Sequence, residues 1–146
     1  TTNNNGMRLK YFLFNTFFVT AFALTTVYSQ QLPNDRKAIV YVYRSSMWSG
    51  AYGYKLRQGD STLYKIKFKS FYVMKLNEGT HYFWAKTIGR TDLTLTVEAG
   101  KSYFVKCGIK GFIPKPKMIL LSDEQAKKEA SKGYLKRKLK ENNLKL

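Results

Sequence analysis

The sequence predicts an all-β chain: a small antiparallel β-sandwich of about seven to eight strands followed by a basic C-terminal α-helix. Three observations carry this. From Ala38 onward, short runs of β-branched and aromatic residues are punctuated by glycine. Several of these runs alternate apolar and polar residues with the strand period of two. Helical periodicity is absent until Ser122.

The first strand reads Ala38 to Arg44, apolar on both faces and hence expected in the middle of a sheet. Ser45 to Gly53 follows as a loop holding Met47, Trp48 and Tyr52 among serines and glycines. Gly53 to Gln58 is the second strand, and Gly59-Asp60-Ser61 is a turn in which glycine takes positive φ. From Leu63 to Lys69, Lys65, Lys67 and Lys69 alternate with Tyr64, Ile66 and Phe68, which predicts an apolar face backed by a lysine row. Ser70 to Leu76 and Thr80 to Lys86 flank the turn Asn77-Glu78-Gly79 and are expected to pair as a hairpin. Asp92 to Glu98 places Leu93, Leu95 and Val97 inward, and Lys101 to Ile109 puts Tyr103, Val105, Cys107 and Ile109 on one face. Gly111 to Lys117 reads as a loop stiffened by Pro114 and Pro116, and Met118 to Leu121 as a last short strand. Ser122 and Gln125 have the spacing of a capping box, so a helix starts there. Its apolar positions are Ala126, Ala130, Tyr134, Leu135 and Leu139; Gly133 interrupts it at a cost of ~1 kcal/mol relative to alanine, and the tail from Lys132 is expected to fray.

Ahead of this domain stands Arg8 and Lys10, an uncharged run from Tyr11 to Tyr28, and then Ser29 before Gln30 and Gln31. That order is the grammar of a secretory signal peptide, with Val27 and Ser29 as the small residues at the cleavage site. The alternative is a retained N-terminal anchor, since the run lies at the lower limit for spanning a bilayer. Thr1 to Gly6 precede Met7, a possible initiator, and read as upstream residues. The expected organisation is therefore upstream residues and signal peptide over 1–29, a linker over 30–37, the sandwich over 38–121 and a basic helical tail over 122–146. The expected compartment is the periplasm, the outer membrane or the cell surface. The single cysteine, Cys107, cannot form an intrachain disulfide, so the domain must be held by its core.

The chain carries 26 Lys and Arg against nine Asp and Glu, a formal net charge of +17. Nucleic acid is the habitual partner of such an excess, but an exported protein meets lipid headgroups, acidic glycans and acidic proteins first, and no nucleic acid is expected. The alternative is that lysines solvate the surface and guard strand edges.

Val40 to Arg44, the Leu76 to His81 turn, Ala85-Lys86-Thr87, Leu93-Thr94-Leu95, Glu98 to Val105 and the Gly111 to Lys117 loop together resemble the bacterial family called domain of unknown function 2846. The resemblance covers Ala38 to Leu121 and omits the basic tail. The Glu78 to His81 turn before an apolar strand is also similar to the β-sandwich repeats called PEGA domains, with Asn77 where their proline usually stands. Both resemblances imply a small exported sandwich, Ig-like or prealbumin-like, and neither supplies a catalytic residue.

Enzyme chemistry has little to stand on. One histidine, His81, and one cysteine offer no metal-ligand spacing. His81, just past a turn, is expected to pair with backbone or to pack under the hairpin, and Cys107 to lie in the core. Asp92 and Glu98 point outward from opposite ends of one strand, and no nucleophile elbow or phosphate loop is present. No cofactor or catalytic residue is expected. The candidate binding residues are Trp48 and Tyr52 in the first loop, Lys65, Lys67 and Lys69 on the sheet, and Lys136, Arg137 and Lys138 in the tail. Tyr134, Leu135 and Leu139 on one side of a basic helix are suited to lying on an anionic membrane. The function expected is an envelope accessory module binding an anionic partner. The alternative is an assembly subunit that pairs through its edge strands with another envelope protein.

Overall fold

A computed structural model describes residues 36–46 and 52–144. The expected signal peptide, most of the linker and Trp48 lie outside the described residues, as do Met47 and the stretch up to Ala51.

Eight strands form two four-stranded sheets stacked as a sandwich. The first sheet has the order β4-β1-β7-β8, built from β1 (Ala38–Tyr43), β4 (Phe71–Leu76), β7 (Ser102–Lys110) and β8 (Lys115–Leu120). The second has the order β3-β2-β5-β6, from β2 (Tyr54–Gln58), β3 (Ser61–Ile66), β5 (Gly79–Lys86) and β6 (Arg90–Val97). All pairs are antiparallel except β1 with β7. Between the sheets lie Val40, Val42, Leu56, Ile66, Phe83, Leu95, Val97, Val105 and Cys107, all buried.

β1 is apolar on both faces because it is covered on both. Val40 and Val42 face the sandwich core, whereas Tyr41 and Tyr43 face a second cluster formed with Phe104 and two helices, α1 (Asp123–Ala130) and α2 (Gly133–Glu141). The helices contribute Ala126, Ala130, Leu135 and Leu139 to a third layer over the first sheet. The capping box forms as expected: Gln125 N–H donates to Ser122 Oγ at 3.3 Å, and the Gln125 side chain accepts from Ser122 N–H at 3.1 Å. The tail does not fray. After a break at Ser131 and Lys132 it restarts as α2, and Gly133 stands at that restart with φ +68°. Glu129 of α1 accepts from Lys106 Nζ at 2.6 Å and from the Tyr43 hydroxyl at 3.3 Å, tying the helix to β7 and β1. Burial and the neighbouring Glu129 carboxylate push the Tyr43 hydroxyl well above the usual tyrosine range.

Four further expectations are corrected. β4 and β5 do not pair as a hairpin: β4 joins β1, and β5 lies between β2 and β6. The Asn77-Glu78-Gly79 corner passes the chain from one sheet to the other, and the turn chemistry of a hairpin serves such a corner equally well. The lysine row over Lys65, Lys67 and Lys69 ends early, because β3 stops at Ile66 and Lys69 turns the chain with φ +59°. The last strand begins at Lys115 rather than Met118, with Pro116 buried opposite Ile109; β8 is an edge strand, where a missing N–H breaks no ladder. The apolar side of the tail, with Leu135 and Leu139, is spent on the sheet and is not free for a membrane.

Both open sides of the sandwich are fastened. On one, the Tyr64 and Tyr72 rings stack at 4.3 Å; Tyr72 donates to the Lys65 carbonyl at 2.8 Å and Tyr64 to the Val73 carbonyl at 3.4 Å, bridging β3 and β4. On the other, Thr91 Oγ1 donates to the Pro116 carbonyl at 2.6 Å and Thr87 Oγ1 to the Pro114 carbonyl, joining β6 and its turn to β8.

Candidate functional site

The site with the strongest chemical character is the outer face of the second sheet, and strand register creates it. Lys55 of β2 stands opposite Lys65 of β3 and Lys86 of β5, and Lys86 stands opposite Arg90 of β6. Tyr54, Leu56, Ile66 and Ala85 beside them are buried, so the four cations point outward together. They form one row, Lys65-Lys55-Lys86-Arg90, across the whole sheet. At the strand spacing of about 4.8 Å the row is roughly 14 Å long. Like charges in directly opposed positions cost stability, and here the arrangement repeats across all four strands.

The next row holds Arg57, Trp84 and Asp92. Trp84 Nε1 donates to the Gly59 carbonyl at 2.8 Å, which fixes the indole against the β2–β3 turn. The Arg57 and Arg90 guanidiniums lie 5.1 and 4.7 Å from the ring centroid. Asp92 takes two bonds from Arg90, at 2.9 and 2.7 Å, and these raise the Arg90 pKa further. An open depression of about 410 Å³ lies between Trp84, Arg57, Lys55, Lys65 and Lys86. The arrangement can hold several anionic groups in a line beside a rigid aromatic. No protein-family model matches the chain, and none of the curated proteins matches it.

Of the residues singled out in the sequence, Lys65 belongs to this row. Lys67 lies just beyond β3, and the Lys69 ammonium sits 5.2 Å from the Phe68 ring while its carbonyl accepts from Tyr134 at 2.6 Å. Tyr52 is exposed, and its carbonyl accepts from the buried Arg44 at 2.7 Å where the chain enters β2. Lys138 and Arg137 both approach Glu141, at 2.6 and 3.6 Å, so part of their charge is answered within the helix. The Lys138 hydrogen bond foremost, then the charges of Lys138 and Arg137, hold the Glu141 carboxyl below its usual range. Lys136 is exposed. Lys136, Arg137 and Lys138 lie on α2, over the first sheet and apart from the face that carries Lys65, whereas the Lys67 stem runs beside Gly53 at the margin of the depression.

Sequence reasoning missed Lys55, Arg57, Trp84, Lys86 and Arg90. Their outward positions were readable from alternation with Tyr54, Leu56, Phe83 and Ala85, but their alignment depends on register between strands.

His81 and Cys107 are placed as the sequence predicts. A carbonyl can only accept, so His81 Nε2 donates to the Asn77 carbonyl at 2.9 Å, leaving Nδ1 to accept from the Gln58 amide at 3.3 Å. Cys107 is buried in the sandwich core, and burial pushes its thiol up to about 11, against smaller opposing effects of Tyr54 and Arg44. Among the described residues, no three His, Cys, Asp or Glu side chains gather as a metal site.

Proposed function

We propose that this protein is an exported, non-enzymatic binding module of the cell envelope that holds an anionic partner, whether lipid headgroup, glycan or acidic protein, on the outer face of its second sheet. The row Lys65-Lys55-Lys86-Arg90 carries this reading. Protection of strand edges accounts for Lys65 on β3, but not for Lys55 and Lys86 on the interior strands β2 and β5. A row of like charges that costs stability without guarding an edge fits an anionic ligand. The engagement of His81 with backbone and the burial of Cys107 support a binding role over a hydrolytic one. The reading as an assembly subunit pairing through edge strands has less support, since β3 and β4, and likewise β6 and β8, are bridged to each other.

The fold favours the prealbumin-like form among those expected. An immunoglobulin domain keeps its first two strands in one sheet, whereas β1 and β2 here lie in opposite sheets. The resemblance of Ala38 to Leu121 to the domain of unknown function 2846 and to PEGA repeats, together with the signal-peptide pattern before Gln30, supports an envelope location.

The test is binding to a soluble polyanion, dextran sulfate, across a salt series for the native protein and K55E/K86E. Affinity that falls steeply with salt and drops further in the variant supports the reading. Salt-independent binding, or equal affinity of both proteins, removes it.

A further inference from the structure

The end of the sandwich next to the cation row carries a feature that anion binding does not explain. Two turns meet there, the β5–β6 turn Thr87 to Gly89 and the β7–β8 turn Gly111 to Pro114. They are joined by the Thr87 hydroxyl, which donates to the Pro114 carbonyl, and by Gly89 N–H on the same oxygen at 3.5 Å. Their tips are apolar. Ile88 is 71% exposed, Ile113 62% and Phe112 fully exposed at 105%. Turns ordinarily hold polar residues, and none of these three side chains is buried in either core cluster.

Cations flank the tips from both sheets. Lys86 and Arg90, opposite each other, bracket the first turn, and Lys110 and Lys115, also opposite each other, bracket the second. The Lys115 stem lies along the first turn, where a Cβ on Gly89 would meet its Cγ at 3.2 Å. The segments 86–90 and 110–115 contain no acidic residue; Asp92, just beyond the first, pairs with Arg90, which leaves Lys86, Lys110 and Lys115 as the collar's unanswered cations among the described residues. Lys55 and Lys65 continue the positive charge away from the tip across the second sheet.

Projecting apolar side chains within a collar of cations match the two layers of an anionic bilayer: acyl chains for Ile88, Phe112 and Ile113, phosphates for the collar. A soluble polyanion would use the collar and leave the tips in water. We infer that this end of the sandwich is a membrane-docking tip that inserts Ile88, Phe112 and Ile113 shallowly into an anionic bilayer. The inference rests on the proposed anion-binding face and names its partner. It also moves membrane contact from the C-terminal helix, whose apolar side is buried, to two turns at the end of the sandwich.

The test sediments the full chain with vesicles of phosphatidylglycerol and phosphatidylcholine, and separately measures dextran sulfate binding. Three proteins are compared: native, K55E/K86E and F112S/I113S, with thermal melts to confirm folding. The expected result is a loss of vesicle affinity of about tenfold to a hundredfold in F112S/I113S with unchanged dextran sulfate binding, and loss of both in K55E/K86E. As a second readout, F112C is labelled with an environment-sensitive fluorophore, the buried Cys107 thiol being protected; a blue shift on adding anionic vesicles is expected. Equal vesicle affinity of F112S/I113S and native protein, or no shift at position 112, overturns the docking tip while dextran sulfate binding keeps the anion-binding face. Native protein that binds neither vesicles nor dextran sulfate overturns both.

Discussion

Cys107 and Tyr54 show how burial sets chemistry at the level of single residues. The Tyr54 hydroxyl donates to the Lys117 carbonyl at 3.2 Å and lies beside the Cys107 thiol in the sandwich core. Desolvation raises both groups, Cys107 to about 11 and Tyr54 well above the usual tyrosine range. In the native protein at pH 8 the thiol is therefore protonated and shielded, and its reaction with a disulfide reagent should be roughly a hundredfold or more slower than in denaturant; a native rate equal to the denatured rate would contradict the burial. The linkage has a definite sign. Between the free cysteine value of about 8.5 and the folded value of about 11, the unfolded chain releases a proton that the folded chain retains. Stability is thus full below the lower value and falls as pH rises through the window, with Tyr54 and Tyr43 extending the loss to higher pH. Denaturant unfolding at pH 7, 9 and 10 should show this decline.

Among the elements, the two helices behave as a third layer of the fold. Leu135 and Leu139 fill the surface over Tyr41 and Phe104, whose rings stack at 4.6 Å. Leu135→Ala should cost about 2–5 kcal/mol in chemical denaturation, whereas a solvated tail would lose almost nothing. Gly133 gives a sharper contrast. Helix propensity alone predicts that Gly133→Ala stabilises by ~1 kcal/mol. Its φ of +68° at the restart of α2 predicts the reverse, a destabilisation of about 1–2 kcal/mol, and the sign of the measured change decides between them. Ser122→Ala should remove roughly 1 kcal/mol by leaving the first turn of α1 uncapped.

For the whole molecule, charge and stability pull in opposite directions. The chain carries a net +17 and aligns four cations across one sheet. Lys55→Glu places a carboxylate between Lys65 and Lys86, converting two repulsive pairs into attractive ones, and should raise stability by a few tenths to about 1 kcal/mol while weakening polyanion binding. A thermal melt beside a binding titration checks both halves; a variant that binds as well as native protein would show the row to be idle. Fastening by Tyr64 and Tyr72 on one side and by Thr87 and Thr91 on the other gives the sandwich bridged edges, so high salt should screen repulsion without promoting association.

The outline of this fold was legible in the chain because it rests on local signals. Alternation marked β6 and β7, apolar character on both faces marked β1 as a central strand, and Ser122 with Gln125 marked the start of α1. His81 and Cys107 were readable for the same reason, since a turn and an apolar face already imply their surroundings. Partnership was not legible. Asn77-Glu78-Gly79 has one chemistry for a hairpin and for a corner between sheets, and only the competition of β4 and β5 for partners selects the corner. Lys55, Lys65, Lys86 and Arg90 are scattered over 36 positions of sequence, and Ile88 lies far from Phe112 and Ile113. Register across hydrogen-bonded strands and the meeting of two turns bring them together. Secondary structure follows from neighbours along the chain, whereas a binding surface is assembled from residues whose proximity is set by long-range pairing, and that information resides in the packed sheets.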